Sequence, residues 1–173
     1  MQTKARVYSY SYLTMAAEGS LKQARKSKGD PFFECMSALL FSALAMEAFL
    51  NHAGSQILPR WDILKKKLSP KEKLDLIFAV KGIEVDWGSR PYQSFIDVIK
   101  YRNMLAHAET EDVKPEIIFS AGSSPNHWHA FCKIEFAEKI SSDISRIIKE
   151  MPLSLGFSVP PDFLLAECVA NDD

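Results

Sequence analysis

The sequence predicts an all-α protein: a bundle of four or five antiparallel helices with a small β-hairpin inserted near residues 117–134. Three observations carry this reading. Apolar residues recur at helical spacing through most of the chain, Gly and Pro signals separate the runs, and the connections between runs are short. At 173 residues, with 47% apolar and 25% charged residues, the chain reads as one domain with a full core over about residues 6–151 and a tail over 152–173.

The first helical pattern runs from about Arg6 to Ser27, with Val7, Tyr10, Thr14, Ala17, Leu21 and Ala24 along one stripe. Gly29-Asp30-Pro31 supplies a stop, an N-cap and a first-turn proline. The second pattern, Pro31 to about Gln56, has only Ser37, Ser42 and Glu47 as polar residues between Cys35 and Leu50, so it is expected to be buried nearly all round. Its apolar run is shorter than a membrane span requires and contains Glu47, which favours a core or subunit-interface helix over a membrane helix. Pro59 to Lys67 forms a short helix or turn carrying Trp61. Ser69-Pro70-Lys71-Glu72 has the form of a capping box and starts a helix through Leu74, Ile77, Phe78 and Val80, closed by Gly82.

Pro91 opens the next helix. Beyond His107 an acidic stretch ends it, and the segments Ile117-Ile118-Phe119 and Trp128 to Ile134 flank Gly122-Ser123-Ser124-Pro125-Asn126 in the manner of a hairpin. Phe136, Ala137, Ile140, Ile144, Ile147 and Ile148 mark a last helix expected to stop at Pro152. The tail, with Phe163-Leu164-Leu165, is expected to dock on the bundle.

Charge and cysteine content restrict function. The net charge of −1 conceals an asymmetry: residues 1–81 carry 13 Lys/Arg against 7 Asp/Glu, and residues 82–173 carry 8 against 15. The basic half could steer an anionic partner, although solvated helix faces are the commoner origin of such a bias. Cys35, Cys132 and Cys168 are odd in number and widely spaced, which argues against a disulfide framework or a zinc knuckle. The N-terminus lacks a signal-peptide pattern, and a cytoplasmic protein is expected. His127 and His129 fall on one side of the expected strand near Cys132, but no carboxylate or second thiol stands at ligand spacing, so no metal site is assigned. There is no Gly-rich phosphate loop, Gly-x-Ser-x-Gly elbow or His-Glu-x-x-His helix, and no cofactor is implied.

The stretch Lys100-Tyr101-Arg102-Asn103-Met104-Leu105-Ala106-His107 departs from its helix pattern. Phe95, Ile96, Val98, Ile99, Leu105 and Ala106 fill one arc, and Arg102, Asn103 and His107 fall inside that arc. A desolvated guanidinium on an inward stripe is costly unless an anion or acceptor meets it, so the rule is broken at three neighbouring positions together. Asn103 and His107 share a face, while Arg102 and His107 lie roughly 140° apart and about 7.5 Å along the axis. The bland reading is a buried Arg pinned by a carboxylate, with Glu47 its obvious partner, and a His at a helix C-terminus where the dipole favours it.

These residues resemble the motif of the HEPN superfamily: an Arg, a polar residue, three variable positions and a His, here Arg102-Asn103-x-x-x-His107. Ala45-Met46-Glu47-Ala48-Phe49-Leu50-Asn51 is similar to the family's Glu-bearing buried helix, and Ser69-Pro70-Lys71-Glu72-Lys73-Leu74 to a helix start often found between the two. The resemblance covers about residues 30–110, with the last helix completing the bundle. It implies a single helical domain, a homodimer whose motifs face each other across a cleft, and often a metal-independent ribonuclease with Arg102, Asn103 and His107 catalytic and Glu47 supporting. Many such proteins are toxins with a nucleotidyltransferase-like antitoxin as partner, or defence effectors; others are non-catalytic.

The residues suit that chemistry. His107 can serve as acid or base near neutral pH, Arg102 can grip phosphate as a fork, and Asn103 can orient the imidazole or a sugar hydroxyl. Three readings follow: an RNA endonuclease, a non-catalytic dimerisation module in which Glu47 neutralises Arg102, and a nucleotide-binding module using the same Arg and His.

Overall fold

A computed structural model of the chain describes residues 4–110, 131–157 and 166–169. Helices α1 (Ser9–Ala24), α2 (Phe32–Ile57), α3 (Trp61–Leu64), α4 (Pro70–Val80), α5 (Tyr92–Ala106) and α6 (Ile134–Leu155) form an all-α bundle. Strands β1 (Lys4–Val7) and β2 (Ala166–Val169) pair antiparallel, Lys4 opposite Val169 and Val7 opposite Ala166.

Helix α2 is the centre, with α1, α3, α4, α5 and α6 all packed on it. It is long and apolar enough to cross a membrane by length and composition, and half of that apolar window is buried by its neighbours. On α1 the predicted stripe is the buried one, through Tyr10, Thr14, Ala17, Leu21 and Ala24. Thr14 returns its hydroxyl to the Tyr10 carbonyl at 2.8 Å, which lets a polar residue sit inside. Where α2 meets α6, the Ser42 and Ser141 hydroxyls lie 2.8 Å apart, and Ser42 also donates to the Ala38 carbonyl. Two buried hydroxyls satisfying each other avoid the desolvation cost each would carry alone. At the start of α5, Arg90 grips both Asp143 oxygens on α6 at 2.6 and 2.8 Å, and the Ser94 hydroxyl donates to the same carboxylate at 2.5 Å.

Four expectations are corrected. The first helix starts at Ser9, not Arg6, because Val7 belongs to β1 and is exposed. Helix α2 is not buried all round: Phe33 is exposed, and Met36, Leu40, Phe41, Leu44, Glu47 and Ala48 are only partly covered along one stripe. The described helices do not close around that side. Pro152 does not stop α6, which continues to Leu155 and ends at Gly156 with φ +76°. Proline removes one donor near the end of the helix, where the ladder is nearly finished, while the left-handed Gly156 turns the chain away.

The fourth correction concerns the hairpin. Residues 117–130 of it, with His127 and His129, lie outside the described residues. Its expected last strand does not include Phe131 to Ile134: Lys133 is the N-cap of α6 and Ile134 its first residue. Cys132 is buried, with its sulfur 2.9 Å from the Tyr101 hydroxyl, which anchors the segment to α5 rather than to a strand partner. The apolar tail segment Phe163-Leu164-Leu165 is also outside the described residues.

Candidate functional site

Helix α5 carries the Arg-Asn-x-x-x-His element on its last two turns. Its upper part is locked by Phe95, Val98, Ile99 and Tyr101, all buried. Tyr101 lies beside Cys132, and burial pushes the Tyr101 hydroxyl well above its ordinary range. Burial likewise raises the Cys35 thiol to about 11 and the Cys132 thiol above its usual value, so both are protonated at neutral pH and poor nucleophiles. This cluster is packing, and it fixes the angle at which the end of α5 projects.

Beyond Tyr101 the helix leaves cover. Arg102 is half-buried, while Asn103, Ala106 and His107 are exposed. The expected inward arc therefore ends one turn early: Asn103 and His107 face solvent, and Tyr101 takes the buried place instead. His107 is the C-cap, with φ −117°, and its backbone N–H donates to the Asn103 carbonyl at 3.0 Å. That bond holds His107 over the final turn with its side chain exposed.

Arg102 and Glu47 form the expected ion pair between α5 and α2. The side chains keep 26% and 21% of their surface open, so the pair is reachable from solvent. A second guanidinium nitrogen of Arg102 donates to the Asn103 side-chain oxygen at 2.8 Å. Two of its five N–H donors are thus engaged among the described residues, and the others are left for an incoming anion. Arg102, Asn103 and Glu47 are brought together; Asn103 is turned to the guanidinium rather than to the imidazole. The Glu47 carboxylate orients Arg102, which otherwise would sample many rotamers.

One turn further along α2, a second polar contact follows. Asn51 accepts a hydrogen bond from Lys73 on α4 at 3.0 Å, and Lys73 is 7% exposed. Burial first, and then Lys65, hold the Lys73 ammonium below the usual lysine range. At Gly54, a further turn on, the Trp61 ring lies so close that a Cβ would overlap it. Its indole N–H is buried without an acceptor among the described residues. No pattern in the sequence singles out Lys73 or Trp61 as functional, because each reads as an ordinary member of a short amphipathic element.

A separate groove of about 420 Å³ runs between α1 and α6, but its Arg25 and Arg146 are already paired with Glu138 and Glu150. Among the described residues no three His, Cys, Asp or Glu side chains gather as a metal-binding group. Comparison with family models, curated proteins and solved structures gives no match, so the reading of this site rests on its residues and geometry.

Proposed function

We propose that this chain is a metal-independent RNA endonuclease of the HEPN type that works as a homodimer. The observation that carries the reading is the open Arg102: a guanidinium oriented by Glu47, with donors to spare, on the same helix end as an exposed His107. In the proposed reaction a base removes the proton from an RNA 2′-OH, whose oxygen attacks the adjacent phosphorus. An acid protonates the departing 5′ oxygen, leaving a 2′,3′-cyclic phosphate and a 5′-hydroxyl. Arg102 neutralises charge on the phosphoryl oxygens, where it is worth most once water is excluded. DNA, lacking the 2′-OH, is not a substrate.

The partly covered stripe of α2 supports the dimer. It runs through Phe33, Leu40 and Leu44 to Glu47, so the apolar face that needs covering leads directly to the candidate site. A second copy docked there would enclose Arg102 and add a second His107. Within this reading the protein is cytoplasmic, a toxin or defence effector, with a nucleotidyltransferase-like antitoxin as a partner.

The ion pair itself favours the other reading, a non-catalytic dimerisation module in which Glu47 occupies Arg102. Cleavage separates the two. Purified protein is expected to cut a generic RNA in the presence of EDTA and leave cyclic phosphate ends, and His107→Ala to lower the rate at least about a hundredfold. Equal cleavage by the His107→Ala variant, or activity that EDTA removes and Mg²⁺ restores, would overturn the nuclease mechanism.

A further inference from the structure

Glu47, Asn51 and Gly54 lie on one side of α2 at successive turns. Each is met there by a different element: Glu47 by Arg102 of α5, Asn51 by Lys73 of α4, and Gly54 by Trp61 of α3. The first position has a compensated cation. Among the described residues the second holds a cation met by a neutral amide, and the third a neutral indole N–H without an acceptor.

A lysine ammonium has three donors and no acceptor, and burying it against one neutral amide oxygen leaves most of its desolvation cost uncompensated. Among the described residues Asn51 is the acceptor Lys73 has, and Lys65 nearby adds like charge. Trp61 brings a second buried donor to the same stretch: its indole edge presses on Gly54, and Gly54 and Asn51 are neighbours about 5–6 Å apart on the helix surface. A buried ammonium and a buried indole N–H along one stretch of α2, with no carboxylate on either among the described residues, are matched by an acceptor-rich anion. The exposed Lys65, Lys66 and Lys67 border this end and favour the approach of a polyanion.

We propose that Lys73, Asn51 and Trp61 form a second phosphate subsite, which takes the phosphodiester next to the one held at Arg102. Lys73 Nζ and the Trp61 indole N–H donate to its oxygens, and Asn51 positions the ammonium. The inference rests on the RNA reading of the Arg102 site and extends it to a substrate class: single-stranded RNA bound along α2. Asn51 follows Glu47 by one helical turn, about 6 Å along the axis, which matches the reach of one nucleotide step in an extended strand. A single strand can bend to bring its phosphates to buried or half-buried donors, which the rigid cylinder of a duplex does less readily.

The test uses the full chain and a fluorescein-labelled, 2′-O-methylated RNA dodecamer, which keeps every phosphate but cannot be cleaved. Binding is measured across salt concentrations. Lys73→Gln is expected to weaken binding about tenfold or more and to lower the log–log salt slope by about 0.7, the value for one lost phosphate contact on a single strand. Asn51→Asp is the second variant: it gives Lys73 a counter-ion of nearly the same shape, so it should keep the fold and weaken binding at least as much. Wild-type affinity and slope in both variants, or no binding of the dodecamer by the wild type, would overturn the subsite. So would Lys73-dependent binding of inorganic phosphate or adenosine monophosphate with no binding of the dodecamer, which would identify a free phosphate as the ligand. Cleavage of unmodified RNA is followed in parallel. Lys73-dependent binding without cleavage supports the subsite while refuting the nuclease reading, whereas cleavage with unchanged binding in both variants does the reverse.

Discussion

Asp143 sits inside the bundle with Arg90 on both carboxylate oxygens and Ser94 on one of them. Burial pushes its pKa up, but the hydrogen bonds from Arg90 and Ser94 outweigh it, and the net shift is downward. A folded-state pKa below the unfolded value of about 3.9 means that this carboxylate stabilises the fold at neutral pH. The contribution is fully present above that unfolded value and is lost as pH falls through the lower folded one. Asp143→Asn is expected to cost about 2 kcal/mol at pH 7, less than the 3–5 of a fully buried pair because Arg90 is half exposed. Urea unfolding should show that difference shrinking as the pH is taken from 5 towards 2; a pH-independent difference would show that the charge contributes nothing. Lys73 has the opposite character, since its ammonium is buried and met, among the described residues, by a neutral amide rather than a counter-ion. The two residues separate a buried charge matched by a full counter-ion from one matched, among the described residues, by a single amide oxygen.

Among the elements, α4 begins as its sequence requires. The Ser69 hydroxyl accepts from the Glu72 N–H at 3.3 Å, and the Glu72 carboxylate accepts from the Ser69 N–H at 2.7 Å. Such a cap is legible because donor and acceptor are three residues apart and need no other part of the chain. The junction of α2 with α3 is not local. Gly54 is glycine because the Trp61 ring occupies the space of a Cβ, although a glycine in mid-helix looks like a simple loss of stability. Gly54→Ala is therefore expected to destabilise by about 1–3 kcal/mol despite alanine's better helix propensity, as read from the urea midpoint. A stabilised variant would mean that Trp61 can move aside without loss. The half-covered stripe of α2 was expected to be closed, because hydropathy reports which residues avoid water but not which neighbour shields them.

At the scale of the whole molecule, the described residues leave that stripe only partly covered and the end of α5 exposed on the same side of α2. We expect sedimentation at micromolar concentration to give about twice the protomer mass of 19.5 kDa. Leu44→Lys on the stripe should shift the equilibrium to monomer and reduce cleavage with it. In-line displacement puts the attacking and leaving oxygens on opposite faces of phosphorus, so one His107 cannot easily serve both. Mixed dimers with one wild-type and one His107→Ala chain should then fall far below half of the wild-type rate. Half activity would show that each protomer works alone, and a wild-type monomer that cleaves RNA would rule out the shared site altogether.

The helical class, the boundaries of α4 and α5, and the pairing of Glu47 with Arg102 were determined by the sequence itself. Periodicity and caps act over a few residues, and a buried carboxylate and a guanidinium on facing stripes have few other partners. The passage of α6 through Pro152, the pairing of β1 with β2, and the exposure of Asn103 and His107 were decided only by the tertiary structure. So was the arrival of Lys73 and Trp61 beside Asn51 and Gly54. Each depends on which distant segment lies against a given turn, and the pattern of one strand or helix carries no record of that neighbour.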